Sequence, residues 1–292
     1  MNKNIIRQTL SGGQAVIKSL KIEGVTHVFG LIGSATMELF DALYDTKDIR
    51  FIDVRDERTG SHMADGYARA SGKPGIIIAG QNGPGVTNLV TGIAQAKAAF
   101  SPVISIAGAI TTTHEGKDAF QEVDQQSLFE PITKKTFTVR QTKLIPNTLK
   151  SAFKIATSQQ CGPVQINLPR DILANHYNFG KFKKHKKILT PSISNKTLIK
   201  AMEIIKNKTK PVIIAGGGVK NSESHKEIVN FAKYLNIPIV SSAGHGDAIP
   251  HEEILYAGQM GPRGNIVATN LVKNADVIIA LGTRLGFNST FY

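Results

Sequence analysis

Tryptophan is absent from the 292-residue sequence, and cysteine occurs once, at Cys161. A single thiol excludes a disulfide framework and any cysteine-built metal cluster, and Cys161 is expected to be a packed core residue. Long apolar runs are missing as well. No stretch has the length that a bilayer demands, and the N-terminal MNKNIIRQTLSGGQ lacks the apolar centre of a secretory signal, so the expectation is a cytoplasmic protein with no membrane partner. Acidic side chains are scarce beside basic ones, 22 against 35, which leaves a formal net charge of +13. That surplus is scattered, and its one dense cluster, KFKKHKK at Lys181 to Lys187, reads as a solvated connector, so nucleic acid is not the expected partner. What is present, 41% hydrophobic and 20% charged residues over 292 positions, suits a folded chain with room for two domains.

Short apolar runs alternate with amphipathic stretches, the pattern of a parallel α/β sheet. Buried strands are expected at His27–Ile32, Phe51–Val54, Gly75–Ala79, Pro102–Ala107 and Val164–Leu168, each a continuous apolar run of the kind covered on both faces. GGQAVIKSLKIEG reads as a helix stopped by Gly24, and RTGSHMADGYARASG as one that aligns Met63, Tyr67 and Ala70 and stops at Gly72. LIPNTLKSAFKIATS makes another helix. The pattern lapses after Asp171, which gives a first domain over residues 1–175, a linker over 176–194 and a second α/β domain over 195–292. In the second domain a helix is expected at about Asn195–Asn207 and a strand at Pro211–Gly218. A helix at Glu223–Leu235, the strand IPIVSS, a helix at Asn265–Lys273 and the strand DVIIALGTRL follow. The sequence stops at Tyr292 soon after that strand, so it reads as part of a longer protein.

Four stretches invite a chemical reading. GQNGPGVTNLVTGIAQA, Gly80 to Ala96, joins a strand to a helix through a glycine loop with Pro84 at the helix start. Such a loop can receive a phosphate or serve only as a tight turn; it lacks the Gly-Lys-Ser/Thr ending of a P-loop and the dinucleotide spacing. Glu57 stands at the carboxyl end of a strand, where open parallel sheets bind ligands, although a first-turn acid that favours the helix dipole would look the same. Phe120, Gln121 and Glu122 lie in an aperiodic segment that is either a functional or an ordinary surface loop. AGGGV, at Ala215–Val219, is a glycine turn of a common nucleotide-binding kind. His62, His114, His245 and Arg263 are left without a role.

In this order the stretches resemble the thiamine diphosphate-dependent enzymes of the acetolactate synthase type. The motifs that carry the resemblance are Glu57 with GYARASG at Gly66–Gly72, GPGVTN at Gly83–Asn88, AFQEVD at Ala119–Asp124 and GPVQINLPRD at Gly162–Asp171. The resemblance implies a parallel-sheet pyrimidine-binding domain followed by a Rossmann-like central domain, here truncated. It implies that Glu57 is bonded to the cofactor's pyrimidine and promotes proton loss from the thiazolium carbon. Gln121 would orient substrate or stabilise developing oxyanion charge, and Phe120 would line the substrate pocket. Ile32, Gly33, Pro84 and Asn88 would complete the pyrimidine pocket, with the loop glycines removing side chains from the contact with the cofactor. The diphosphate and its Mg2+ would be held by a third domain, with no metal ligand in this chain, so the 292 residues alone are expected to be inactive.

FAD in the central domain is a further option, and a homodimer or homotetramer is implied because the family's site forms between subunits. The substrates would be two 2-keto acids. Asp56 and Arg58 flank Glu57 where acetolactate synthases usually carry His and Gln, and LIGSAT replaces their Pro-Gly-Gly-Ala. GQNGPGVTN, FQEVDQ and LGTRLGFNST are similar to sulfoacetaldehyde acetyltransferase, which puts sulfoacetaldehyde beside the 2-keto acids, while DALYD and KDAFQEVD lean back to acetolactate synthase. A non-catalytic relative that keeps the cofactor pocket is the remaining alternative.

Overall fold

The computed structural model describes residues 7–158, 160–186 and 192–290. The chain divides into two units, Met1–Thr190 and Pro191–Tyr292. Unit 1 begins with β1 (Gln8–Ser11) and α1 (Gly12–Glu23). Ser11 and Gln14 form a reciprocal capping box at the start of α1, and Gly24 ends the helix at φ 88°, a left-handed conformation that glycine adopts without a steric penalty. Next come β2 (His27–Leu31), α2 (Met37–Tyr44), β3 (Arg50–Asp53), α3 (Glu57–Ser71) and β4 (Gly75–Ala79). They lead into α4 (Pro84–Thr87), α5 (Val90–Ala98), β5 (Val103–Ala109), α6 (Gln125–Phe129) and β6 (Lys135–Thr138). Last are α7 (Ile145–Ala156), β7 (Val164–Pro169), α8 (Arg170–Ala174) and β8 (His176–Phe179).

Among the described residues β2 to β7 form a six-stranded parallel sheet in the order β3-β2-β4-β5-β7-β6. The order reverses between β2 and β4, so a crevice opens beyond their carboxyl ends, the position where open α/β sheets bind ligands. Ile76, Ile77 and Ile78 of β4 are completely buried, each worth roughly 1.5–3 kcal/mol as area removed from water. One face of the sheet packs on α1, α2 and α7 through Leu20, Leu39 and Phe153; the other carries Phe129, Leu89 and Ile93.

The strands lie where the apolar runs place them, with ends shifted by up to two residues in unit 1 and by up to four in unit 2, but among the described residues four strands have no apolar run: β1, β6, β8 and one in unit 2. β7 also departs from expectation. It alternates, with Val164, Ile166 and Leu168 in the apolar core and Gln165 and Asn167 fully buried on the opposite face. There Gln165 donates to Asn167 (2.9 Å) under a cover made by the short α6. On α3 the buried face is Gly60, Ser61, Ala64, Asp65 and Ala68, not the row of Met63, Tyr67 and Ala70. Small residues are needed because α5 comes so close that a Cβ on Gly92 would overlap Ser61. Cys161 is half-buried rather than a core thiol.

The stretch read as a linker begins with structure. β8 pairs antiparallel with β1. Within the lysine cluster Phe182 packs on the core, and His185 is held by Glu23, whose side chain is 2% exposed. Glu23 accepts from the His185 backbone N–H (2.9 Å) through one oxygen and meets its Nδ1 (2.6 Å) with the other. Lys187 and the rest of the connector to Pro191 lie outside the described residues. Glu23→Ala would leave the half-buried His185 N–H groups without their acceptor, about 1 kcal/mol each. The expected result is a lower thermal midpoint and new proteolytic cleavage between residues 180 and 186, read by mass spectrometry.

Unit 2 contains α9 (Asn195–Lys206), β9 (Pro211–Ala215), α10 (Gly217–Asn221), α11 (His225–Leu235) and β10 (Ile239–Ser241). After these come β11 (Tyr256–Gln259), α12 (Ile266–Lys273) and β12 (Val277–Leu281). The described strands form a parallel sheet in the order β11-β10-β9-β12, so both units have the parallel α/β architecture. Among the described residues no helix is long and apolar enough to cross a membrane.

Candidate functional site

The crevice beyond β2 and β4 is floored by backbone. Gly33, after β2, faces Gly80, after β4, so closely that a Cβ on Gly33 would lie 2.5 Å from the Gly80 carbonyl carbon. The Ala35 N–H donates to the Gly80 carbonyl (3.0 Å), which ties the two loops together.

Glu57 enters this crevice as the first residue of α3. Asp56 caps the helix by accepting from the Arg58 N–H (2.7 Å), which fixes the direction in which α3 starts. Glu57 is 5% exposed. Asn88 donates its Nδ2 to Glu57 Oε2 (3.0 Å), while Oε1 has no hydrogen-bond partner among the described residues. Gly85 makes room for that second oxygen, since a Cβ there would stand 2.9 Å from Oε1. A nearly buried carboxylate with one satisfied oxygen and one open one is poised to take an N–H donor from a ligand.

The glycines of the loop are explained by the chain itself. Gly80 meets Gly33, Gly85 meets Glu57 and Gly92 meets Ser61. Gly83 adopts φ 59° with the Gln121 carbonyl against it, a conformation and a gap that a side chain would not fit. Close approach of this chain to itself thus accounts for these glycines, beside the contact with a cofactor that the family resemblance implies. The phosphate reading also lapses, because α4 has only four residues.

Pro84 starts α4 and accepts the Asn88 N–H (3.1 Å) through its carbonyl. Gln121 sits at φ 58° on the loop between β5 and α6. Its Oε1 accepts from Gln81 Nε2 (2.8 Å), and Gln81 Oε1 accepts from the Ser34 hydroxyl (2.8 Å). Asn82, nearly buried, donates to the carbonyls of Phe120 (2.9 Å) and Gln121 (3.1 Å). The loop is stapled further by Glu122, which accepts from the backbone N–H groups of Gly116 (2.6 Å) and Ala119 (3.0 Å). Those two bonds hold its carboxyl below the usual carboxylate range. Phe120 and Ile32 expose 79% and 62% of their surface, so two large apolar side chains stand out from the loops that hold Gln121 and Gly33. The structure thus joins Gly33, Glu57, Pro84, Asn88 and Gln121 in one chain of contacts, with Ile32 and Phe120 on the adjoining loops.

Sequence reading missed Ser34, Gln81, Asn82 and Gly85 as parts of this arrangement. The signal was available for two of them: a Gln-Asn pair at the carboxyl end of a fully buried strand has few roles other than bonding loops across a crevice.

In unit 2 the AGGGV turn is likewise filled from within. Cβ atoms on Gly216 and Gly218 would meet the Gly282–Thr283 turn, and one on Gly217 would lie 2.6 Å from the His245 ring.

Residues 10–128 match the family model described as thiamine pyrophosphate enzyme, N-terminal TPP binding domain, and residues 198–292 match the thiamine pyrophosphate enzyme central domain. The chain is 40% identical over 281 residues to the probable acetolactate synthase large subunit of Methanocaldococcus jannaschii, covering 94% of this chain and 47% of that one. It is 38% identical over 288 residues to the acetolactate synthase large subunit of Buchnera aphidicola subsp. Schizaphis graminum, with 97% and 50% covered. Against the acetolactate synthase isozyme 3 large subunit of Escherichia coli K12 it is 37% identical over 288 residues, again 97% and 50%. The chain spans about half the length of these curated relatives.

Proposed function

Because the chain belongs to the thiamine pyrophosphate enzymes, whose N-terminal and central domains it carries, we propose that it serves an acetolactate synthase-like reaction. In that reaction a two-carbon unit passes from one 2-keto acid to a second. The observation that carries the reading is Glu57, 5% exposed, bonded through one oxygen to Asn88 and open at the other. That geometry fits the aminopyrimidine of thiamine diphosphate, which offers a ring nitrogen able to share a proton with the open oxygen. Bound there, the cofactor would supply a carbon nucleophile for the ketone of a 2-keto acid and a positively charged thiazolium ring to take up the electron pair released when carbon dioxide leaves.

The work of this chain is to hold and orient. Glu57 Oε1 shares a proton with the pyrimidine nitrogen, and Asn88 keeps the carboxylate turned toward it. Gln121 presents its amide to substrate oxygen, and Phe120 with Ile32 supplies an apolar wall that displaces water. The exposure of those two side chains supports closure of the site by a second copy, hence a homodimer or homotetramer. The diphosphate and Mg2+ are assigned to a further domain, as the family resemblance has it. For FAD the glycine turn of unit 2 offers no vacant cradle, since Gly282, Thr283 and His245 occupy the space a Cβ would need. The relatives named above are acetolactate synthases, and sulfoacetaldehyde as substrate finds no support among them.

The test uses the full-length protein with thiamine diphosphate, Mg2+ and pyruvate, and follows acetolactate. Product that depends on both additions is the expected result. Cofactor bound without any acetolactate would overturn the proposed reaction.

A further inference from the structure

We propose that Asn82 and Gln81 form a relay of amide orientations that fixes Gln121 with its N–H2 group turned outward, so that the substrate atom it meets is an acceptor oxygen, a ketone carbonyl or carboxylate, and not an ammonium. The substrate part rests on the reading of Gln121 as a substrate-facing residue; the relay itself does not.

The direction of each amide follows from the one before it. The anchor is backbone. The carbonyls of Phe120 and Gln121 lie 2.9 and 3.1 Å from the Asn82 amide, and carbonyl oxygens only accept, so the nitrogen of Asn82 must face them. Turned the other way, the nearly buried Asn82 would set its own oxygen against two more. Its Oδ1 therefore points to Gln81, 3.1 Å away, and needs a donor there. Only Nε2 of Gln81 can supply one. The same nitrogen lies 2.8 Å from the Gln121 side chain, so the atom of Gln121 that faces it is Oε1. Both hydrogens of Gln81 Nε2 are then in use. Ser34 closes the arrangement by donating to Gln81 Oε1 (2.8 Å); a hydroxyl can serve either way, so it accommodates the direction rather than sets it. What remains is Gln121 Nε2, with both hydrogens free of any partner among the described residues. The backbone of Gln121 is fixed too, at φ 58° with its carbonyl held by Asn82 and packed against Gly83. Gln81 is thus a positioning residue, acting on substrate through Gln121.

Two measurements decide this on the full-length protein. Neutron diffraction on crystals without substrate shows amide deuterons directly. Two deuterons on the outward atom of Gln121 are expected; an outward oxygen would overturn the relay, whatever the enzyme's activity. The second is kinetic, with thiamine diphosphate, Mg2+ and pyruvate. Gln81→Glu leaves only acceptor atoms at that position, so Gln121 must turn its nitrogen inward and its oxygen outward. The expected result is a rise in KM for pyruvate on the order of 10- to 100-fold, with thiamine diphosphate affinity unchanged. Gln81→Met, which removes the relay without reversing it, should raise KM less. In a Gln121→Met background the Gln81→Glu effect should vanish. An equal KM penalty in both backgrounds would mean that the added charge acts on its own, and would overturn the proposed link. If pyruvate and cofactor produce no response in the unmodified protein, the proposed reaction fails, and the diffraction result still decides the orientation.

Discussion

Glu57→Gln is expected to lower turnover of the full-length enzyme by a factor on the order of 100 to 10,000 while leaving its thermal midpoint nearly unchanged. The substitution keeps the shape of a side chain that is 5% exposed, and the new amide oxygen can still accept from Asn88. What changes is the other atom. Where Glu57 offers an open, anionic acceptor beside Gly85, the variant offers an N–H2 donor, so a ring nitrogen brought there meets a donor and no charge. The measurement is hydrogen–deuterium exchange at the cofactor's thiazolium carbon, with thermal unfolding as the control. Exchange at the unmodified rate would falsify the role assigned to Glu57. Near-complete loss with a preserved midpoint separates a catalytic group from a structural one.

The largest loss of stability is expected one helix face away. Asp65, on α3, is 1% exposed and accepts from Arg69 Nε and Nη2 (2.9 Å each) and from Gln95 Nε2 on α5 (2.8 Å). Burial raises the pKa of its carboxyl, and the hydrogen bonds led by Arg69 outweigh that and hold it below the usual 3.8. Asp65→Ala removes the common acceptor and strands a partly covered guanidinium and an amide, at a cost of about 3 kcal/mol. For a unit of this size that is a fall of roughly 6–12 °C in the thermal midpoint. The pH dependence has a definite sign. A carboxyl whose folded pKa is depressed contributes stability above its unfolded value and loses it as pH falls through the folded one. The gap between the unmodified protein and Asp65→Ala should therefore be constant above about pH 5 and shrink below pH 4. A gap that persists unchanged at about pH 2 would show that the ionised carboxylate is not what joins the two helices.

Much of this architecture is legible in the sequence, and the exceptions have physical causes. The runs at Gly75–Ala79 and Pro102–Ala107 announce strands because both faces of β4 and β5 are covered by apolar groups. β6 and β8 hide because edge strands need no such run; Lys135 and His176 face solvent there. The buried face of α3 misleads for a related reason. A helix that lies within a Cβ of its neighbour is lined there by glycine, serine and alanine, so Met63 falls on the outer side while Tyr67 packs half-buried at the margin against Phe29. Gln165 and Asn167 show the reverse, polar side chains fully buried and joined by one hydrogen bond, with Asn167 bonded on to Thr138. At the site, Glu57 and Gln121 are visible as chemical groups at strand ends. Gln81 and Asn82 are legible only as a polar pair at the end of a buried strand, since which groups their amides bond is known only once the partners across the crevice are in place.

The loop from Gly80 to Gly92 bears on how this protein can be explored by mutation. At Gly80, Gly83 and Gly92 the place of the missing Cβ already belongs to another part of the chain, while at Gly85 it borders the tip of the Glu57 side chain. A randomised library covering this segment should therefore return glycine at those three positions even when survivors are chosen only for soluble expression. A selection for catalysis would return the same three glycines and add Gly85, which leaves room for the open oxygen of Glu57. Gln81 behaves in the opposite way: half-exposed and held only by side-chain hydrogen bonds to Ser34, Asn82 and Gln121, it should vary under the first screen and become fixed under the second. The contrast between the two screens, position by position, is a map of the ligand that no single screen provides.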